Sequence, residues 1–145
     1  MTKITIDLDQ WAGTLGVAPL VQAYYDLENQ RKMDEWRKLV ADDCTYTAPF
    51  DGKGPVTLNL LDVVGTAVDE IDVQTRIKWI AEVEPNVAFA QWEVDATLAT
   101  GEKLPDDYTG VNKYEFNEKG QLQATTGFHL FPGMIAKFAE SSLDL

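Results

Sequence analysis

Apolar residues recur at two different spacings along this chain, and the change comes near residue 72. Before it, Val17, Leu20, Val21, Tyr24 and Leu27 follow at steps of three and four, which lines them along one face of a helix. Pro19 suits the first turn of that helix, where a missing N–H leaves no intrahelical bond unmade. Met33, Trp36, Leu39 and Val40 predict a second helix, with Asp34 and Glu35 at its start and Arg37 and Lys38 later, the order a helix dipole favours. A short strand is expected at 45–48, and Leu60, Leu61, Val64 and Val68 predict a third helix over about 56–71.

Beyond residue 72 apolar and polar side chains alternate. The run 74–83 sets Ile77, Trp79, Ala81 and Val83 against Arg76, Lys78 and Glu82. The run 87–99 sets Ala90, Trp92, Val94, Ala96 and Leu98 against Gln91, Glu93, Asp95 and Thr97. Two more strands are expected at about 108–116 and 122–131, and Glu84-Pro85-Asn86, Thr100-Gly101 and Asn117-Glu118-Lys119-Gly120 supply turns between the strands. Pro132 and Gly133 then open a short C-terminal helix containing Ile135 and Phe138. Helices followed by a meander predict one α+β domain over residues 1–145, with a curved, antiparallel or mixed sheet wrapped around the helices and a pocket at its open end. A length of 145 residues is the ordinary size of one domain.

Charge narrows the choice of partner. Twelve basic residues against 24 acidic ones give a formal charge of −12, a field that repels nucleic acid and anionic membrane surfaces. No apolar run approaches the roughly 20 residues of a membrane span, and Met1-Thr2-Lys3-Ile4-Thr5-Ile6-Asp7 lacks the apolar stretch of a secretory leader, so a soluble, cytoplasmic protein is expected. The single cysteine, Cys44, excludes an internal disulfide and reads as a small core residue. Phosphate-binding loops, nucleophile elbows and dinucleotide fingerprints are all missing, and no ligand cluster suggests zinc, so neither cofactor nor metal is expected. The expected partner is a small molecule.

Several residues could act on one. Glu93 and Asp95 are two apart on a strand and so share a face. In a partly dry pocket their repulsion and desolvation would raise one pKa and supply an acid and a base together. On a solvated face, a two-residue turn at Pro85-Asn86 would instead set Glu93 opposite Lys78, Asp95 opposite Arg76 and Trp92 opposite Trp79, as cross-strand pairs. His129, the only histidine, is either a general acid or base or an ordinary strand residue. Tyr24 shares the apolar helix face, where its hydroxyl could donate into a pocket or simply pack. Asn112 alternates with Gly110, Tyr114 and Phe116, a setting for a carbonyl or oxyanion contact as much as for a structural bond. Trp79 and Trp92 could stack on a planar substrate or form a dimer contact, and 103–107 reads as an exposed loop at the pocket rim, a candidate lid.

The stretches LVQAYYDLENQRKMDEWRKLVADDCTYTAPF (20–50) and TGVNKYEFNEKGQL (109–122), in this order of elements, resemble the nuclear-transport-factor-2-like superfamily in its SnoaL-like, ketosteroid-isomerase-like branch, over roughly 17–131. The resemblance implies a cone-shaped fold and a homodimer formed through the convex sheet face. By it, Tyr24 falls where the isomerases carry an oxyanion-hole tyrosine and Asn112 where they carry a protonated aspartic acid, while their general base is replaced by Ala48. Similarity to the epoxide hydrolases of this fold matches Tyr46 to a water-holding tyrosine and Asp95 to a catalytic aspartate, but Glu93, Ala48 and Gly127 stand where an arginine, an asparagine and a second aspartate belong. The phenazine-pathway proteins have an acidic pair spaced like Glu93-Val94-Asp95.

Together these readings lead to a cofactor-independent acid–base enzyme on a small, fairly apolar metabolite, of isomerase, cyclase, dehydratase or epoxide-opening type. Asp95 would be its base or acid, His129 the proton-transfer partner, and Tyr24 and Asn112 the hydrogen-bond donors. Glu93, Gln91, Tyr46, Tyr114, Phe116 and Phe128 would line the substrate. The competing expectation is a non-catalytic ligand-binding or dimerisation module of the same fold.

Overall fold

The computed structural model describes residues 16–49, 55–70, 72–97, 100–104 and 108–129. Helix α1 spans Ala18–Asn29 and buries Ala18, Val21, Tyr24 and Tyr25. It stops at Arg31, which takes the left-handed conformation (φ 58) that lets Arg31 N–H reach the Glu28 carbonyl and Lys32 N–H reach the Leu27 carbonyl. Those two bonds satisfy carbonyls that a helix end otherwise leaves open. The Arg31 guanidinium helps hold this bend by donating to the Glu28 carbonyl at 2.9 Å and the Val73 carbonyl at 3.4 Å.

Helix α2 is Met33–Lys38, shorter than its apolar spacing predicts, because Val40 already begins strand β1 (Val40–Pro49). The third expected helix is also trimmed. Pro55, Val56 and Thr57 favour extended backbone over helix, and Pro55–Asn59 forms strand β2. Helix α3 (Leu60–Glu70) starts only after Asn59, whose side-chain oxygen accepts from Leu61 N–H at 2.9 Å as an N-cap. Strands β3 (Asp72–Glu84), β4 (Val87–Thr97), β5 (Thr109–Phe116) and β6 (Leu122–His129) follow. The expected C-terminal helix lies outside the described residues.

The six strands make one open sheet in the order β2-β1-β6-β5-β4-β3, antiparallel except where β1 runs parallel to β6. The fold is thus α+β with a mixed sheet, and α1 lies in its concavity. Val17, Val21, Tyr24 and Tyr25 of the helical side form one buried cluster with Ile80, Ala88, Ala90, Tyr114, Phe116 and Leu122 of the sheet. A second cluster, Trp92, Val94, Ala96, Leu104 and Tyr108, continues the inner face. Leu104 is buried and its N–H bonds the Ala96 carbonyl at 3.0 Å, so the expected exposed loop at 103–107 contributes a core residue at its start.

Strand β3 departs from the simple alternation. Its register against β4 slips between Ile77 and Trp79 and again between Glu82 and Glu84, leaving Lys78 and Val83 as extra residues. Each inserted residue bends the strand and reverses the side on which the next side chains emerge. Ile77 therefore lies opposite Trp92, while Trp79 lies opposite Gln91 on the outer face. The expected match of Trp79 with Trp92 does not form.

Because β3 is an edge strand, its outward backbone groups need partners. Asn29 supplies them: its amide donates to the Thr75 carbonyl at 2.7 Å and its oxygen accepts from Thr75 N–H at 2.9 Å. One side chain at the end of α1 thus mimics a neighbouring strand. Asn29→Ala leaves both backbone groups of a buried residue unpaired and is expected to cost roughly 2 kcal/mol, read as a lower urea midpoint with an unchanged slope.

Candidate functional site

Register across the sheet lays the inner-face residues out in rows. One row runs Tyr46, Thr125, Tyr114 and Ala88; the next runs Gly127, Asn112, Ala90 and Ile80; a third runs Gly110, Trp92 and Ile77. Small residues in the middle strands leave α1 room to enter, and the larger polar side chains gather around it. The Tyr25 and Tyr114 hydroxyls hydrogen-bond each other in the core. Asn112 accepts from Trp92 Nε1 at 2.8 Å and donates to Thr125 Oγ1 at 3.3 Å. Tyr24 meets Tyr25 edge-on at 4.8 Å and the tilted ring of Trp36 at 5.5 Å. Burial raises the pKa of Tyr24, Tyr25, Tyr46 and Tyr114, because a phenolate there would lose its hydration. All four remain protonated donors at neutral pH.

Gly110 explains how Trp92 fits. A Cβ built on Gly110 would stand 2.5 Å from Trp92 Cζ2, so the indole ring lies flat over a backbone position that admits no side chain. That packing is what aims Nε1 at Asn112.

Glu28 was not among the expected site residues. It follows Tyr24 by one helical turn, which sets the two side chains on one face of α1. Its carboxyl oxygen Oε2 is enclosed and has no hydrogen-bond partner among the described residues. Burial pushes its pKa up to about 7, against the opposing pull of the nearby Arg31 guanidinium and Tyr24 hydroxyl. The signal was present in the sequence: Val17, Val21, Tyr24 and Glu28 share one stripe at helical spacing, and an acid on an apolar stripe is the exception.

The expected residues divide between the two faces. Tyr24, Tyr46, Asn112, Tyr114 and Phe116 lie on the inner side. Gln91, Glu93, Asp95 and Phe128 do not. Asp95 is exposed and ion-paired with Arg76, while Glu93 pairs with Arg76 at 3.5 Å and Lys78 at 3.4 Å. Alternation along β4 turns Trp92, Val94 and Ala96 inward and therefore sends both carboxylates to the convex side. Cross-strand ion pairs form as the second alternative expects, but in another register, since the slip at Lys78 sets Arg76 opposite Glu93 and Gln74 opposite Asp95. Gln91 accepts from Trp79 Nε1 at 2.7 Å and donates to Thr109 at 3.1 Å, also outside. Phe128 is 50% exposed. His129 stands opposite Gly110 at the end of β6, and its side chain lies outside the described residues. No group of three or more potential metal ligands occurs among the described residues.

Comparison with known proteins places this geometry in context. The family model described as the SnoaL-like domain matches residues 21–124. A protein designated a polyketide cyclase, from Xanthomonas campestris pv. campestris, superposes with a TM-score of 0.62 at 22% identity over 84% of this chain and 96% of its own. RV0760c of Mycobacterium tuberculosis, solved with estradiol-17beta-hemisuccinate, gives 0.64 at 15% identity over 77% of this chain and 91% of its own. A protein designated a ketosteroid isomerase, from Kribbella flavida, gives 0.56 at 22% identity over 78% and 76%. At these identities the likeness is one of fold, the open α+β architecture of nuclear-transport-factor-2-like proteins. Among curated proteins no sequence matches.

Two outcomes test the interior. Gly110→Ala forces the Trp92 ring off its seat and is expected to cost about 1–3 kcal/mol, with loss of near-ultraviolet circular dichroism from the indole. Glu28 is tested by pH. Its folded pKa of about 7 exceeds the ordinary 4.5, so the native state holds a proton that the unfolded chain gives up between those values. Stability therefore falls as pH rises through that window and levels off above it. Glu28→Gln, which has no proton to lose, should gain on the wild type by on the order of 2 kcal/mol between pH 4.5 and 7.5, measured by denaturant titration at each pH.

Proposed function

The chain belongs to the SnoaL-like domain family, and from that premise we propose that it is a cofactor-independent acid–base enzyme acting on a small, fairly apolar metabolite. One observation carries the reading. Four tyrosines, an asparagine and a carboxyl of raised pKa collect on the inner side of the sheet, within a lining otherwise made of aromatic and aliphatic groups. Apolar walls desolvate a substrate, and hydroxyl or amide donors with no charge of their own stabilise an oxyanion only once it develops. An enolate formed by removal of a proton α to a carbonyl is the simplest such species. Its oxygen would accept from Tyr24 or Asn112, and return of the proton at another carbon would complete an isomerisation.

In this proposal Tyr46, Tyr114 and Phe116 contact the substrate, and His129, at the end of the row that holds Gly110 and Trp92, takes part in proton transfer. Asp95 is left out, since its carboxylate is paired with Arg76 on the other face. The steroid-bound neighbour and the cyclase and isomerase designations of others support the substrate class. The proposed setting is the cytoplasm, as a single-domain homodimer joined through the convex sheet, where Phe128 and Val83 are the exposed large apolar residues among those described.

A second reading, ligand binding without catalysis, has its own support. Asn112 is already bonded to Trp92 and Thr125, Tyr25 to Tyr114, and Ala48 offers only a methyl group where the isomerases keep a base. Deuterium uptake at the α-carbons of 2-tetralone in heavy water, followed by NMR, separates the two. The enzyme reading expects faster exchange with wild-type protein, reduced about a hundredfold in Tyr24→Phe. Tight binding of the ketone with no acceleration would leave the binding reading in its place.

A further inference from the structure

Asn112 is bonded on both sides, yet those bonds use only part of what its amide can offer. An amide carries an acceptor oxygen and two donor hydrogens. The oxygen of Asn112 accepts from Trp92 Nε1 at 2.8 Å, and its nitrogen gives one hydrogen to Thr125 Oγ1 at 3.3 Å. Each polar atom thus has a partner, while the second amide hydrogen and the Thr125 hydroxyl hydrogen have no acceptor among the described residues. We propose that Trp92 is a positioning residue which, through Asn112, makes the inner face prefer a ligand oxygen that only accepts, a carbonyl over a hydroxyl; this rests on the proposed ligand site.

The two ends of a side-chain amide have nearly the same shape, so the neighbours decide which end points where. Thr125 decides nothing, because a hydroxyl can accept from the nitrogen or donate to the oxygen. Trp92 does decide, because an indole N–H only donates. Turning the amide over would set nitrogen against nitrogen and leave two buried donors facing each other. Such a clash is costly here, where Trp92, Asn112 and Thr125 are 4%, 5% and 3% exposed.

Trp92 can impose this orientation because it is itself held. It lies opposite Gly110 on β5, and its ring covers the glycine so closely that a Cβ there would stand 2.5 Å from Cζ2. Val94, Ala96, Leu104 and Tyr108 pack with it in one cluster, and the Thr109 hydroxyl donates to its carbonyl at 2.6 Å. Asn112, on β5, is gripped from β4 by Trp92 and from β6 by Thr125. The bonds run head to tail, Trp92 to Asn112 to Thr125, and each strengthens the next. What the chain has left to give is hydrogens. A ligand carbonyl can accept them. An alcohol in the same place also accepts, but it brings a hydrogen of its own, and the Asn112 oxygen is already engaged by Trp92 and the Thr125 oxygen by Asn112.

The test uses the full chain with 2-tetralone and 2-tetralol, two ligands of similar shape that differ in carrying C=O or CH–OH. Calorimetric titration of the wild type should show the ketone binding about tenfold more tightly. Trp92→Phe keeps an aromatic ring but loses the N–H, so the amide can turn over, and the preference should fall to about twofold or less. A merely structural role would weaken both ligands together and leave the ratio unchanged, and that outcome overturns the proposal. The amide can also be read without ligand or variant. In 15N-labelled wild-type protein the Asn112 side-chain protons should cross-relax more strongly with Thr125 than with the Trp92 indole proton; the opposite order overturns the proposal as well. If neither tetralin derivative binds while the cross-relaxation is as expected, the ligand site fails and the orienting role of Trp92 stands.

Discussion

The bridge from the Asn29 side chain to the main chain of Thr75 determines where α1 sits in the sheet, and the interior is arranged around that position. Two bonds of 2.7 and 2.9 Å tie the last residue of the helix to an edge strand. A helix held at one end along its stripe can place only certain turns against the sheet: Val21 and Tyr25 enter the cluster with Ala88, Ala90 and Tyr114, while Tyr24 and Glu28 follow on the same buried side. A shift of one residue would rotate the helix by about 100° and carry Glu28 into solvent. The latch is local chemistry at the rim, and its consequence is the composition of the interior.

That interior combines strong packing with polar groups that need partners. Most of the partners are internal: Tyr25 with Tyr114, Trp92 with Asn112, Asn112 with Thr125. Such closed pairs stabilise because a donor or acceptor buried without one costs more than a made bond contributes. Three groups break the pattern, Glu28 Oε2 and Trp36 Nε1 near Tyr24 and Glu82 Oε2 on β3, all enclosed and unpartnered among the described residues. Natural cores tolerate few such atoms. Two of the three lie around one tyrosine, which separates that part of the interior from the satisfied network at Asn112.

How much of this was legible in the sequence depends on the kind of signal. Period and turn chemistry located α1 and the four later strands, because Val17 to Leu27 and the alternation along β4 are regular and Pro85-Asn86 makes a compact turn, with Asn86 at φ 64. Helix α3 was placed too early because its apolar spacing hides the strand-forming Pro55-Val56-Thr57 before the Asn59 cap. The faces of β3 were misread for a different reason. Alternation assumes one residue per register step, and the extra residues at Lys78 and Val83 carry no local signature. Those slips also altered the cross-strand partners of Glu93 and Asp95, and alternation along β4 left open which of its faces met the core.

The misplaced carboxylates and the overlooked one differ in a way that bears on function. Arg76, Lys78, Glu93 and Asp95 form a mutually neutralising group of ion pairs on a face where water screens them. Glu28 is a lone acid with one enclosed oxygen, a phenol and a guanidinium at hand, and a pKa pushed up to about 7. An acid that is half protonated at neutral pH can give or take a proton at little cost in either direction, and that is the property acid–base chemistry requires. The candidate acid chosen by analogy lay on a strand; the one chosen by burial lies on the helix that the sheet encloses.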